Sequence, residues 1–520
     1  MNNLLCKILE AHNSDREQQE VIKTNKDRFI IEAPAGYGKT KTMISQIAYL
    51  IVTHKLPNPK KILALTFSVN AAYKIRKDIS SSTFEGLPPH FLKDKVIATN
   101  YHGFCRRVLS LYGYLIDKNL RNIENFISID DSNIENLNRN QGLDFETSKF
   151  LSDFNDAVRK INIKFIKENF WDYNDTVKKN LLNNKLITFN SILTLTIELF
   201  QSRPATKDFY QALYPIIIVD EFQDTNILSW CLLNTLVSDE TKLYLYGDSL
   251  QRIYGFIGAI PNLLNIAQKT FRADTVEFKT NYRFKNKQEM LLLDRNIREI
   301  AKDINSNPKE KAKLTFYLAE NQDKEAEKIF NLCLSLLQEN HDKKISILVR
   351  QRGKNTDRII KEFRNKKLDF FYALFSDEDK EYIEFHKMAL ISFLNLLKTK
   401  KMRKYLLKDL IESFTEEEKY KSMHEEIKRA LLELFETYWN KVIFGEYNFL
   451  ETAEKIDFIR DTLENNSLKQ YLGYTEHRII ITTVHGAKGL EWDYVILPDM
   501  EQYSFPNWSG LCGSCKKPTN

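Results

Sequence analysis

The chain has 520 residues, too many for one hydrophobic core, so roughly two to four domains are expected. Apolar residues make up 43% and charged residues 28%, which excludes a low-complexity chain and reads as a soluble globular protein. No apolar run approaches the ~18 residues of a membrane span, no secretory leader is read in the opening MNNLLCKILE, and a net charge of +6 permits nucleic acid without arguing for it. With no such apolar run, no membrane partner is expected; Cys6, Cys105, Cys231, Cys333, Cys512 and Cys515 are sparse and mostly isolated, which points to a reducing, cytoplasmic setting.

In chain order, the first stretch of interest is SDREQQEVI, from Ser14 to Ile22. Gln18 there offers a donor and an acceptor side by side, suited to the N6/N7 edge of adenine. Next comes RFIIEAPAGYGKTKT, Arg28 to Thr42. Phe29, Ile30 and Ile31 read as a buried parallel strand. Ala33, Ala35, Gly36 and Gly38 form a small-residue loop, and Met43, Ile44, Ile47, Ala48, Leu50 and Ile51 carry a helical period. Strand, loop and helix together predict a phosphate cradle, with Lys39 reaching the β- and γ-phosphates and the Thr40 hydroxyl on Mg²⁺. The usual pattern has Gly where Ala33 stands.

Ile62 to Thr66 reads as a strand, with Phe67 and Asn70 at its carboxyl end, where open α/β sheets bind ligands. KVIATNYHGFC, Lys95 to Cys105, repeats the arrangement with Tyr101, His102 and Phe104. Rings beside basic residues suit single-stranded nucleic acid, where bases stack and the backbone meets Lys or Arg. Core packing of Phe67 and Phe104 is the competing reading. Arg106 to about Asn184 reads as a helical insertion. The apolar run Ile216 to Val219 then ends in Asp220 and Glu221. An acidic pair at a strand end is what a phosphate loop needs: Asp220 for Mg²⁺, Glu221 to polarise the attacking water. In KLYLYGDSLQRIYGFIGA, Lys242 to Ala259, Gln251 can sense the γ-phosphate and report to Tyr254 and Phe256.

With EQQEVI, APAGYGKT, TNYHGFC, IIIVDEFQDTN, YGDSLQRIYGFIGA, FKTNYR and TTVHGAKGLEWDYVILPDM in place, the chain resembles superfamily 1A helicases of the UvrD/Rep/PcrA type. DEFQDT and HGAKGLEWD are highly specific to that family, in which the loop often begins with Ala. The resemblance implies an α/β fold of two RecA-like P-loop NTPase domains, each with an inserted helical subdomain. The domains are expected at 1–106 with 185–270 (first), 107–184 (first insertion), 271–380 with 471–520 (second) and 381–470 (second insertion). It implies that Tyr282 stacks on adenine, Arg283 contacts the γ-phosphate, and Glu491 contacts the ribose. Lys41 stands where Arg is common, which weakens stacking on the base. Phe67, His102, Tyr254, Phe256 and His485 are implied to line a single-stranded DNA path, with Asn70 beside Phe67. Ile257 stands where the family usually has Arg.

In the second half, Leu314–Leu318, Ile345–Val349, Phe370–Phe375, Ile479–Thr483 and Tyr494–Leu497 read as strands. Tyr382 to about Gln470 reads as helical, with Tyr438 and Trp439 as core residues. The family's later Thr-Arg-Ala stretch is not found before Asn520, and Cys512 and Cys515 read either as half of a zinc site or as two free thiols of a flexible tail. Both read as a fragment of a longer chain; a partner chain or second copy supplying the arginine is the other reading. The expected activity is 3′–5′ translocation on and unwinding of DNA driven by Mg·ATP, in repair or antiviral defence. The alternative is an ATP-gated DNA sensor or clamp that regulates a partner nuclease, as in compact subunits of the Gabija type.

Overall fold

The computed structural model describes all residues except 1, 55, 82–90, 135–142, 253–254, 256–257, 304, 340–341, 376–378, 404 and 502–520. Tyr254, Phe256, Ile257, Cys512 and Cys515 therefore lie outside the described residues. The chain divides into two units, Met1–Lys313 and Leu314–Asn520.

In the first unit the strands are β1 (Arg28–Glu32), β2 (Ile62–Thr66), β3 (Val96–Asn100), β4 (Ile127–Ile129), β5 (Leu186–Thr188), β6 (Ile216–Val219), β7 (Lys242–Gly247) and β8 (Asp274–Glu277). Six of them form a parallel sheet in the order β3-β2-β6-β7-β1-β8. The apolar runs exist because both faces are covered. Phe29, Ile31, Ile62, Ala64, Ile216, Ile218, Tyr244 and Tyr246 enter one core, with Met43, Ile47 and Ile51 of helix Lys39–His54. Their neighbours Ile30, Leu63, Leu65, Ile217, Val219, Leu243 and Leu245 enter the other, with Phe104 and Val108 of helix Tyr101–Tyr112. Alternate residues of a strand thus feed opposite layers, as the two-residue period requires. Each fully buried Ile or Leu contributes about 1.5–3 kcal/mol.

The first insertion is mainly helical, with helices Phe145–Arg159 and Ile163–Asn180. Tyr173 stacks on Phe154 at 3.8 Å between them. The purely helical expectation is corrected by β4, which pairs in parallel with β5 and closes the insertion at its base. A second correction concerns the boundary expected after residue 270. β8 hydrogen-bonds along β1, so 271–313 belong to the first unit. This edge strand, DTVE, is mostly exposed and lacks the apolar run that marks a buried strand.

The second unit carries β9 (Ile345–Val349), β10 (Phe371–Ala373), β11 (Ile479–Thr483) and β12 (Tyr494–Ile496) in a parallel sheet, order β10-β11-β9-β12. Leu314–Leu318 is not a strand: no partner strand lies beside it among the described residues, and Phe316 and Leu318 are 75% and 85% exposed. β10 and β12 are also shorter than read. The second insertion, between β10 and β11, is helical as expected, with Tyr438 and Trp439 buried in its core. Trp439 packs edge-on against Phe393 and Phe435.

His477, just before β11, ties this insertion to the sheet. Its Nδ1 is 2.7 Å from Asp369 and its Nε2 is 2.9 Å from Glu433 on helix Glu425–Ile443. The hydrogen bond to Glu433 first, and then Asp369, lift the imidazole to about 9 against the opposing effect of burial. Because the folded value lies above the ordinary 6.5, this stabilisation is complete below pH 6.5 and is lost as pH rises through about 9. Thermal melts followed by circular dichroism should show a melting temperature that declines across that window in the wild type. The decline should be shallower in His477→Gln.

Candidate nucleotide site

The site forms at the carboxyl ends of β1, β6 and β7, where parallel sheets present their loops. The Ala33 N–H donates to the Gly247 carbonyl at 2.8 Å, so the first loop residue is fixed to the end of β7. Gly36 and Gly38 then take φ of +86° and +80°, a region that disfavours side chains. There is no room for one either: a Cβ at Gly36 would stand 2.7 Å from Arg283 Cβ, and at Gly38 2.6 Å from Gln18 Nε2. Helix Lys39–His54 follows at once, so its free N–H groups face the loop.

Lys39 is the centre of the charge arrangement. Its ammonium lies 3.2 Å from Asp220 Oδ1 and donates to Glu221 Oε1. Burial opposes its charge, but the two carboxylates outweigh burial and hold Lys39 above its usual range. Burial pushes the Asp220 carboxyl up, and Lys39 pulls it back. Glu221 sits in the left-handed region at φ +49°, which costs about 1–2 kcal/mol for a non-glycine residue. That backbone turn sends Glu221 Oε2 to Gln223, whose amide donates at 2.6 Å.

For Mg²⁺ the donor set fits. Asp220 Oδ1 is buried with the Lys39 ammonium 3.2 Å away, and Thr40 is half-buried in the first turn of the helix. Among the described residues no group of three or more His, Cys, Asp or Glu could hold a metal alone. The remaining ligands would have to come from phosphates and water, the habit of Mg²⁺.

Helix Arg16–Lys23 and the Asn281–Arg283 segment brace the loop from outside. Asp15 caps that helix through the Gln18 N–H at 2.9 Å and accepts from Tyr282 OH at 2.8 Å. Gln18 is buried; its amide donates to the Tyr37 carbonyl at 3.0 Å and accepts from His12 Nδ1 at 2.5 Å. His12 Nε2 meets Ser45 Oγ at 2.9 Å, and burial holds this histidine low despite Gln18. The Tyr282 and Arg283 N–H groups both donate to the Gly36 carbonyl, at 2.7 and 3.2 Å. Lys41 is exposed and donates to the Ala11 carbonyl at 3.1 Å.

Lys39, Thr40, Asp220, Glu221, Gln18, Ala33, Ala35, Gly36, Gly38, Tyr282 and Arg283 thus belong to one neighbourhood, and Gln251 lies in the short turn Ser249–Gln251 after β7. Phe67, Asn70 and His102 follow the ends of β2 and β3 and are half-buried. His102 packs edge-on against Phe189 at 5.3 Å, and burial holds its imidazole down to about 4. It is therefore a neutral ring rather than a cation. Phe104 is core, packed against Tyr210 and Tyr214. His485 and Glu491 are exposed residues of the second unit. Reading the sequence alone missed His12, Gln223, Asp248, Asp294 and Arg298. Only the Asp294–Arg298 pair left a local signal, the four-residue spacing of a helical ion pair.

The fold and this geometry define a P-loop nucleotide-binding protein. The UvrD/REP helicase N-terminal domain matches residues 14–272, and the UvrD-like helicase C-terminal domain matches residues 373–511. The two together take in well over half of the chain, which belongs to the UvrD/REP helicase family. The ATP-dependent DNA helicase PcrA of Staphylococcus aureus (strain Mu50) is 28% identical over 290 residues, and that of Staphylococcus epidermidis (strain ATCC 12228) is 30% identical over 291. Each match covers 52% of this chain and 38% of the relative's length. A solved structure of the DEAD-box helicase Mss116 bound to ssRNA and UDP-BeF aligns with 89% of this chain and 90% of that one. Its identity is 11% and its TM-score 0.26, too distant to argue from.

Gly36→Ala should lower stability by about 1–2 kcal/mol or more, from the left-handed backbone and the contact with Arg283 Cβ. Urea unfolding measures this. An unchanged midpoint would mean that the loop relaxes freely.

Proposed function

We propose that this protein is an ATP-driven motor on single-stranded DNA, a 3′–5′ translocase and helicase using Mg·ATP. The observation that carries the reading is Lys39, at a helix N-terminus behind a glycine loop, paired with the strand-end carboxylates Asp220 and Glu221. Family membership supports it, as does the printed function of the relatives, ATP-dependent DNA helicases.

Lys39 and the loop N–H groups bind the phosphates, and an entering polyanion competes with Glu221 for the ammonium. A Mg²⁺ ion, held by Thr40 and Asp220, would supply charge neutralisation at the phosphates. Once Lys39 turns to the phosphates, Glu221 orients a water and accepts its proton, with Gln223 still donating to its Oε2. Gln251 stands at the end of β7, where it can follow the terminal phosphate. In this reading Tyr282 stacks on the base and Gln18 reads adenine, for which its amide has to exchange the contacts with Tyr37 and His12. Arg283 contacts the γ-phosphate in this reading, and Glu491 is assigned the ribose by the resemblance alone. Phe67, Asn70 and His102 contact the strand in this reading, and His485 is assigned to it by the resemblance alone. Phosphate contacts with DNA make binding salt-dependent.

The test is ATP hydrolysis with and without single-stranded DNA. The wild type should show DNA-stimulated turnover, and Lys39→Ala should abolish it together with binding of a fluorescent ATP analogue. Glu221→Gln should keep analogue binding and lose about 10²–10⁴-fold in turnover. Turnover that survives both substitutions would sink the proposal.

A further inference from the structure

Beyond the loop and the strand-end acids, one polar chain runs unbroken behind the site. Arg298, on helix Gln288–Lys302, grips Asp248 with both ends of its fork, NH1 to Oδ1 at 3.2 Å and NH2 to Oδ2 at 3.1 Å. Its Nε donates to Asp294 Oδ1 at 3.0 Å. Asp248 is 1% exposed, at the end of β7, and has two further ties. Its N–H donates to Gln223 Oε1 at 3.1 Å, and Gln223, also 1% exposed, holds Glu221. Its carboxylate accepts from the Leu250 N–H at 3.1 Å and so shapes the turn that carries Gln251.

The other arm runs through Asp294. Its Oδ2 accepts from Tyr37 OH at 2.6 Å and from Asn281 Nδ2 at 3.1 Å. Tyr37 belongs to the phosphate loop, and Asn281 directly precedes Tyr282 and Arg283. The guanidinium also lies over the Tyr37 ring at 5.7 Å. One planar cation therefore joins the phosphate loop to the strand end that orients Glu221 and Gln251.

Resting on the nucleotide-site reading, we propose that Arg298 is a positioning residue for ATP hydrolysis, fixing Glu221 and Gln251 against the phosphate loop through Asp248 and Asp294. Its fork and its Nε are directed at Asp248 and Asp294. A bidentate fork sets both distance and plane, which an ammonium cannot do. Small misplacements of reacting groups are costly, up to about a hundredfold for roughly 1 Å. Arg298 thus governs turnover more than affinity, because Lys39 and the loop N–H groups keep their own supports.

The test compares the wild type, Lys39→Ala, Arg298→Lys, Arg298→Met, Gln223→Ala and the Arg298→Lys/Gln223→Ala double variant of the full-length protein. Readouts are kcat, Kd for a fluorescent ATP analogue, and melting temperature. Arg298→Met exposes any folding defect from an unpaired Asp248; Arg298→Lys keeps the charge and removes the fork. Arg298→Lys should lose about 10–100-fold in kcat while its Kd moves less than about threefold. The double variant should lose little more than the worse single, because both act through Asp248 and Glu221. The inference falls alone if Lys39→Ala abolishes turnover and Arg298→Lys leaves kcat within about twofold. It also falls alone if its loss only tracks the unfolded fraction, or multiplies fully with that of Gln223→Ala. A wild type without Lys39-dependent turnover and analogue binding overturns the nucleotide-site reading, and this inference with it.

Discussion

The ammonium of Lys39 lies between two carboxylates, at 3.2 Å from Asp220 Oδ1 and in hydrogen bond to Glu221. Almost every feature of the first unit serves that meeting. The cation comes from the turn after β1 and the anions from the end of β6, with β7 between them. Only a parallel sheet brings these ends to the same edge, and only helices on both faces bury it fully. The two alternating sets of apolar residues in β1, β2, β6 and β7 are thus the physical origin of the site.

The site includes left-handed backbone, which Ile161, Lys185, Asn262 and Arg272 also adopt elsewhere in the first unit. Glu221 is left-handed, and two glycines of the loop are left-handed with no space for a Cβ. Such conformations persist only when surroundings fix them. Here the fixing groups are polar and buried: Gln18 and Gly247 against the loop, Gln223 against Glu221. Each pairs a group whose burial alone would be costly.

The second unit repeats the parallel architecture with less depth, and the buried core of its insertion is aromatic. Phe385, Phe393, Phe414, Phe435 and Trp439 meet largely edge-on. Ion pairs cross the seam between sheet and insertion as well: His477 joins Asp369 and Glu433, and Arg364 pairs with Glu426. His477 contrasts with buried His386. Burial holds its ring down to about 3, and its two nitrogens meet the Tyr382 carbonyl at 2.8 Å and the Leu468 N–H at 3.4 Å. Two histidines of one unit are thus driven in opposite directions, one by carboxylates and one by burial.

The sequence alone determined those elements whose signal is local. Ile62–Thr66, Ile216–Val219, Ile345–Val349 and Ile479–Thr483 were legible to the residue, because a doubly buried strand must be continuously apolar. The loop, Lys39, Asp220 and Glu221 were legible because phosphate chemistry demands those residue types beside those strands. Tertiary structure decided what no local period encodes. β8 carries no apolar run, so its place beside β1 depends on pairing alone; Leu314–Leu318 carries one yet finds no partner among the described residues. Arg298 and Asp248 stand 50 positions apart, joined only because a helix after β8 returns over the end of β7. Burial of an apolar side chain is satisfied by any apolar neighbour, so its pattern survives in one dimension. A buried hydrogen bond needs one partner at one distance and angle, and that partner is chosen only in three.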